Sequence, residues 1–291
     1  MLSRVHRVPV GSVTLAVTEA GPSDGPPVLL LHGFPDRADM WRHQVEALAA
    51  AGHRVVAPDL RGFGDSDRPV GVEHYELRHL TADLVGLLRH LGISRTAVVG
   101  HDWGAVLTWS FAAAHPGSVD RLAVVSVGHP AARAAAGLSQ QVRGAYVVAF
   151  CVPGLAERLL PQRQWWWLRR AWGGVSPGSD PDLARQVADL SRPGALPAAL
   201  AWYRANVPLP RPGRPRPPHA GGRQRVACPV MGVWSSEDPA LTESQMTGSE
   251  RFVDGPWRYE RVDGVGHWLP VQAPERLSAL LLDFLRPVSA P

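Results

Sequence analysis

The sequence predicts an α/β protein: a mostly parallel sheet with helices on both faces and an inserted helical cap. Short apolar runs alternate with longer amphipathic stretches, the pattern of strands joined by crossover helices. One long interval without a strand pattern interrupts this alternation and predicts the insertion. The chain of 291 residues is 45% hydrophobic and 19% charged, which suits a large folded core and excludes a wholly disordered chain.

The strand predictions rest on short apolar runs bounded by glycine and proline. They cover residues 13–19, 27–31, 54–57, 96–100, 122–127, 229–234 and 258–262, and the first residues alternate like a strand pair. Amphipathic helices are predicted over 38–51, 79–91, 103–114 and 274–285. The two periods together favour a sheet whose strands are mostly parallel.

The predicted strands and helices divide the chain into three segments. Residues 1–127 and 226–291 form the two parts of the α/β core, and 128–225 form a helical cap over the carboxyl edge of the sheet, where such sheets bind ligands. Within the cap, the run PQRQWWWLRR at 161–170 is expected to provide cap core and rim. The Pro/Arg-rich stretch 208–225 is predicted to be a solvated return linker, with a site for a proline-recognising partner as the alternative.

Composition also limits the partners. All 30 basic residues are arginine and the formal net charge is +4, without the basic and aromatic stripe that would indicate nucleic acid. No apolar stretch approaches the roughly 18 residues of a membrane span, and the first residues lack the pattern of a secretory signal. Cys151 and Cys228 have no metal or redox spacing. We therefore expect a cytoplasmic protein with no membrane partner, metal or cofactor.

The strongest local motif is VVGHDWGAV at residues 98–106. A predicted strand ends at Gly100, a helix begins near Trp103, and glycines flank position 102 on both sides. This is the strand–turn–helix elbow that presents a nucleophile, here Asp102 instead of serine. The alternative is an aspartate that only caps the helix.

An aspartate in this position selects the reaction class. A carboxylate is ionised at neutral pH, so it attacks without a base, and the ester it forms with an alkyl carbon can be hydrolysed at its own carbonyl. A serine ether would not be released in this way. Asp102 therefore points to hydrolytic opening of an alkyl carbon–oxygen or carbon–halogen bond.

The second step needs a base and a carboxylate that orients it. His267 lies in the Gly-rich run VDGVGHWLP after the last predicted strand, and Asp238 lies in VWSSEDPAL after the preceding one. The order nucleophile, acid, histidine along the chain is typical of this elbow. Glu237 is a competitor for the role of Asp238.

The ester carbonyl also needs donors for its developing negative charge. The run LLLHGFPD at 29–36 ends a predicted strand in a Gly-x-Pro turn, which brings backbone N–H groups to the same edge as the elbow. The backbone N–H groups of Phe34 and Trp103 are the predicted oxyanion donors. A plain strand-terminating turn is the alternative.

Taken together, HGFP (32–35), GHDWG (100–104), Asp238 and GHW (266–268) resemble the epoxide hydrolases of the α/β-hydrolase fold. The resemblance implies an eight-stranded, mostly parallel sheet, and a small hydrophobic epoxide and water as substrates. It also implies two cap tyrosines that donate to the epoxide oxygen, which match Tyr146 in GAYVVAFCVPGLAE and Tyr203 in ALAWYRAN. Independently of the family, a phenol suits this task because it donates a proton without being ionised at rest.

Two other functions stay open at this stage. Haloalkane dehalogenases share the Asp elbow and a tryptophan like Trp103, but a polar halide-binding residue is usual where Phe34 stands. The other is a catalytically silent hydrolase fold that acts as a small-ligand receptor, against which the complete set of Asp102, Asp238 and His267 argues. The particular epoxide and the oligomeric state cannot be deduced from the sequence.

Overall fold

The computed structural model describes residues 3–171, 180–207 and 224–286. Its centre is an eight-stranded sheet. The strands are β1 (Arg4–Pro9), β2 (Thr14–Ala20), β3 (Pro27–Leu31), β4 (Arg54–Pro58), β5 (Thr96–His101), β6 (Val119–Val125), β7 (Val230–Ser235) and β8 (Trp257–Val262). The predicted fold class is thereby confirmed, including the number of strands.

The spatial order of the strands is β1-β2-β4-β3-β5-β6-β7-β8. Strand β2 is antiparallel to both of its neighbours, β1 and β4. All other neighbouring strands in this order are parallel to each other. Parallel ladders bring the carboxyl ends of β3, β5, β6, β7 and β8 to one edge, and the predicted site residues follow these ends.

Helices cover both faces of the sheet. The core helices are α1 (Arg42–Ala50), α2 (Leu77–His90), α3 (Trp103–Ala114), α11 (Glu243–Thr247), α12 (Leu269–Gln272) and α13 (Pro274–Leu285). Side chains alternate across β3, so that Leu29 and Leu31 join one apolar cluster with α2 and α3. Val28 and Leu30 join the other, with α1 and α13. This two-sided burial explains why the strands are continuously apolar.

Between β6 and β7 lies a helical insertion. Its helices are α4 (Pro130–Ala135), α5 (Gly137–Arg143), α6 (Tyr146–Cys151), α7 (Leu155–Leu159), α8 (Gln162–Ala171), α9 (Pro181–Leu190) and α10 (Ala195–Asn206). Left-handed backbone at residues 163–165 interrupts α8. Most of the predicted linker 208–225 lies outside the described residues; at its end, the Gln224 carbonyl accepts a hydrogen bond from His129 Nε2 at 3.0 Å.

Several predicted boundaries were wrong. The helix predicted over 38–51 is a 3-10 turn (Ala38–Trp41) followed by α1, because the Asp59 carboxylate takes the Ala38 N–H at 2.9 Å and fixes the turn. Helix α2 begins at Leu77 instead of 79, since the Asn206 side chain accepts the Leu77 N–H at 2.9 Å. Strand β6 begins at Val119, not 122: the exposed Asp120 hides the start of the strand in the sequence.

No helix in these three described stretches combines the length and apolar character needed to cross a lipid bilayer.

Candidate active site

Asp102 occupies the tight turn between β5 and α3. Its backbone is in the left-handed region, with φ 52° and ψ −120°, a conformation that costs energy for a residue other than glycine. The turn fits only because its flanks are glycines: a Cβ on Gly104 would lie 2.1 Å from the Leu31 carbonyl oxygen, and one on Gly100 would lie 2.3 Å from Thr108 Oγ1. The Asp102 side chain makes no capping hydrogen bond to α3, so the reading of this residue as a mere helix cap is wrong.

The Asp102 carboxylate points to the sheet edge. Oδ1 accepts a hydrogen bond from the Phe34 N–H at 2.9 Å, and the neighbouring Trp103 backbone N–H helps to lower the pKa of the carboxylate. Oδ2 lies 3.5 Å from His267 Nε2. Burial by itself would raise the pKa of Asp102, but the hydrogen bond and positive charge of His267 outweigh it and lower the pKa below its ordinary value. The carboxylate is therefore anionic at neutral pH.

On its other side, His267 is held by Asp238. His267 Nδ1 donates to Asp238 Oδ2 at 2.7 Å, while Asp238 Oδ1 accepts the N–H groups of Ala240 and Leu241 at 2.8 and 3.0 Å. These bonds fix the carboxylate plane and leave Nε2 facing Asp102. The neighbouring Glu237 side chain is exposed, so the structure brings Asp238 and not Glu237 to the histidine.

The two carboxylates raise the basicity of His267. Its burial would lower the pKa, but the charge of Asp238 and the hydrogen bonds to both carboxylates raise it to about 10. At neutral pH the imidazole is thus an imidazolium between two anions. Removing the charge of either carboxylate would bring this pKa down.

Two further side chains hold the backbone of His267. Its carbonyl oxygen accepts hydrogen bonds from His101 Nε2 at 2.8 Å and Ser126 Oγ at 3.2 Å. Ser126 is fully buried in a left-handed turn with φ 69° directly after β6. Sequence reasoning did not find this pair. His101 lies inside the elbow motif, which is a usable signal, whereas Ser126 carries none.

The other missed residue is Asp36, in the turn after β3. It is buried, and its carboxylate accepts Arg185 Nη2 at 2.9 Å, Gln186 Nε2 at 2.9 Å and the Trp268 indole N–H at 3.0 Å. Arg185 and Gln186 belong to α9, and Trp268 directly follows His267. Asp36 thus joins the helical insertion to the loop that carries the histidine.

Tyr203 and Tyr146 lie in an aromatic cluster above the carboxylate. The Tyr203 ring centroid is 5.0 Å from Trp103, 5.6 Å from Phe34 and 5.1 Å from Phe150, and Phe150 is 5.2 Å from Tyr146. Desolvation, and then the charge of Asp102, raise the pKa of both phenols above their ordinary value. Both hydroxyls therefore keep their protons at neutral pH. Tyr203 is 4% exposed and Tyr146 38% exposed.

The structure therefore brings Asp102, His267, Asp238 and the predicted N–H donors together, with the two tyrosines near them. The elbow, the turn after β3 and the loops after β7 and β8 supply the lower part, and α6 and α10 supply the tyrosines. Within the described ranges, no group of three or more His, Cys, Asp or Glu side chains is arranged to hold a metal ion. The chemical groups available are an anionic carboxylate, a histidine, backbone donors and two neutral phenols.

An elbow, acid and histidine in this order on such a sheet define the α/β hydrolases. The family model of the alpha/beta hydrolase fold matches residues 26–274, and the chain belongs to that family.

Similarity to individual proteins narrows the family further. The chain is 36% identical to epoxide hydrolase A of Mycobacterium tuberculosis, over 96% of each protein. It is 33% identical to epoxide hydrolase 3 of Xenopus tropicalis, over 92% of this chain and 73% of the relative. The crystal structure of epoxide hydrolase A from Mycobacterium thermoresistibile superposes with a TM-score of 0.83 at 29% identity, covering all of both chains. Within the α/β hydrolases, the chain belongs to the epoxide hydrolases, as the resemblance implied.

Proposed function

We propose that this protein hydrolyses a small hydrophobic epoxide to a vicinal diol through a covalent ester on Asp102. The observation that carries the proposal is the buried anionic carboxylate at the elbow, 3.5 Å from His267 Nε2 and close enough to two tyrosines for its charge to raise their pKa. Named epoxide hydrolases with 36% and 33% identity support the choice of substrate.

In the first step, an Asp102 oxygen attacks one epoxide carbon and the carbon–oxygen bond breaks. The epoxide oxygen takes a proton from Tyr203 or Tyr146 as its negative charge develops. The product is an alkyl ester of Asp102 that bears a neighbouring hydroxyl group. Asp102 has lost its charge, so His267 becomes less basic and gives up its proton, which restores the phenol.

In the second step, neutral His267 takes a proton from water, and the hydroxide attacks the ester carbonyl carbon of Asp102. The Phe34 and Trp103 N–H groups stabilise the oxyanion; in the free enzyme the Phe34 N–H donates to the carboxylate. When this intermediate collapses, the bond from the carbonyl carbon to the alkyl oxygen breaks and that oxygen takes the proton of the added hydroxyl group, so the diol leaves and the carboxylate is regenerated. Asp238 stabilises the imidazolium that forms.

The helical insertion acts in this proposal as the cap. Its helices α6 and α10 hold the tyrosines opposite the nucleophile, and its aromatic rings provide an apolar wall that suits a hydrophobic substrate.

The alternatives fit the site less well. A haloalkane dehalogenase needs N–H donors for the halide, but the side chain at position 34 is an apolar phenylalanine that packs against aromatic rings. A ligand receptor needs no ordered chain from Asp238 through His267 to Asp102.

Trapping the ester tests the proposal. His267→Gln should still be alkylated by an aryl epoxide such as styrene oxide but should not complete hydrolysis, so its intact mass should rise by one substrate molecule. Asp102→Asn is the matched control and should gain nothing, while a panel with 1-chlorohexane and p-nitrophenyl acetate separates the competing chemistries. A wild-type enzyme that forms diol while His267→Gln stays unmodified would disprove the covalent route.

A further inference from the structure

Most of the exposed large apolar side chains among the described residues lie in the helical insertion. Eleven large apolar side chains are exposed among the described residues, and nine of them lie between 138 and 167. The other two, Val5 and Val70, belong to the α/β core. Exposed apolar side chains are normally scattered, so a concentration of this kind marks an interaction surface.

These side chains follow the helical repeat. Three successive short segments each expose two apolar residues four positions apart: Leu138 and Val142, Val148 and Val152, and Leu155 and Leu159. Within α5 and α7 this spacing places both residues on one side of the helix, whereas Val152 directly follows the end of α6 in extended backbone. Trp166 and Trp167 follow, 41% and 55% exposed, with ring centroids 4.7 Å apart. We call these eight residues the insertion face.

Positive charge accompanies the insertion face. Residues 138–171 contain five arginines and one carboxylate, a net charge of +4 that equals that of the whole chain. The single carboxylate, Glu157, is bound by Arg204 at 2.5 and 2.8 Å. Arg158, Arg163 and Arg170 are exposed. The face therefore combines apolar side chains with tryptophan and unbalanced arginine.

We propose that the insertion face binds peripherally to an anionic lipid bilayer. Apolar side chains and tryptophan enter the headgroup boundary, and arginines pair with lipid phosphates, the composition typical of interfacial attachment. This inference departs from the sequence prediction of no membrane partner. That prediction considered continuous apolar stretches, whereas the insertion face is assembled from single side chains on several short helices.

The insertion face lies next to the candidate active site, which suggests a purpose for lipid binding. Tyr146 lies on α6 within the same stretch, is 38% exposed, and is close enough to Asp102 to be affected by its charge. The candidate active site therefore adjoins the insertion face. Given the proposed function, a lipid-bound enzyme would receive hydrophobic epoxides that are dissolved in the bilayer.

Vesicle flotation tests the binding without using turnover, so its result is independent of the proposed reaction. The full chain should float with vesicles that contain phosphatidylglycerol at low ionic strength, less so as salt screens the arginines, and not with pure phosphatidylcholine. Equal flotation with both lipids, or with neither, would overturn the proposal.

Paired variants locate the binding surface. Arg158→Gln with Arg170→Gln should weaken partitioning roughly 30-fold, since each arginine near an anionic surface contributes about 1 kcal/mol. The matched control, Arg89→Gln with Arg276→Gln, changes the net charge equally at exposed positions on α2 and α13 and should bind like the wild type. Equal losses in both pairs would show a nonspecific charge effect and overturn the assignment.

A second pair of variants tests the apolar side chains of the insertion face. Trp166→Ser with Trp167→Ser should reduce flotation at least as strongly, whereas Val70→Ser, at a residue 94% exposed on the core, should not. Circular dichroism checks that every variant is folded. Light scattering that shows a dimer which only the tryptophan variant loses, without vesicle binding by the wild type, would instead assign the face to a second copy of this chain and refute the lipid proposal.

Discussion

Replacing each of the four tyrosines of this chain in turn tests whether a phenol protonates the epoxide oxygen. Tyr146 and Tyr203 lie close enough to Asp102 for its charge to raise their pKa. The other two form remote hydrogen bonds: Tyr75 donates to the Pro69 carbonyl at 2.9 Å, and Tyr259 donates to Glu243 Oε1 at 2.7 Å. Replacing each by phenylalanine keeps the ring and removes one hydroxyl. If the phenols protonate the opening epoxide, only the first two replacements should slow the formation of the ester.

The structure ranks the expected losses. General acid catalysis contributes on the order of 10²–10⁴ in rate, and two donors share it, so each single variant should lose only part. Tyr203 is 4% exposed, and no water easily takes its place, whereas Tyr146 is 38% exposed. We expect Tyr203→Phe to slow alkylation roughly 100-fold, about 2.7 kcal/mol of transition-state stabilisation, and Tyr146→Phe roughly 10-fold. The double variant should lose the whole contribution.

A single-turnover measurement isolates this step. Enzyme in excess is mixed with epoxide, quenched at short times, and the fraction of esterified Asp102 is read from the intact mass. Tyr75→Phe and Tyr259→Phe should alkylate at the wild-type rate, although each is destabilised by about 1 kcal/mol through the lost hydrogen bond. The reasoning fails if the double variant alkylates normally, or if the remote variants are slowed as much.

The remaining predictions concern stability. Asp36→Asn should lower the free energy of unfolding by about 2–3 kcal/mol, because it neutralises a buried carboxylate that binds Arg185. Asp39→Asn removes a half-exposed partner of the same arginine and should lower it by less than about 1 kcal/mol. Equal losses for both variants in urea unfolding would contradict the role of Asp36. Burial lowers the pKa of His32, His101 and His129 to about 4, so these side chains are neutral in the native state and take up protons on unfolding below their ordinary pKa of 6.5. The free energy of unfolding should therefore decrease as the pH is lowered from 6.5 to 4, by roughly 3–4 kcal/mol per pH unit. Urea unfolding measured at several pH values would refute this if fewer than one proton were taken up on unfolding.

Much of the architecture could be predicted because it is locally encoded. Strand β3 and helices α3 and α13 have the predicted limits, since apolar periodicity, glycine and proline mark their ends. The site residues Asp102, Asp238 and His267 were predictable for a different reason. Parallel strands carry their carboxyl ends to one edge, so chain order determines which loops meet.

The unpredicted features depend on contacts between distant segments. Helix α2 begins at Leu77 because Asn206, 129 positions later, accepts its N–H. Asp36 is satisfied by donors from α9 and from Trp268, and no local pattern connects these segments. The exposure of Trp166 and Trp167, beside a buried Trp165, likewise depends on how the insertion packs.

Helix α10 offers a native reporter of the state of the insertion. Tyr203 and Asn206 lie one turn apart on it, and the Asn206 amide donates to the Tyr75 carbonyl at 2.8 Å while accepting the Leu77 N–H at 2.9 Å. Leu77 is the first residue of α2, so its N–H has no acceptor within its own helix. Protection of this one amide against deuterium exchange therefore depends on α10 being seated. The exchange rate of Leu77 therefore reports how often α10, which also carries Tyr203, leaves its seat, without a substrate or an attached probe.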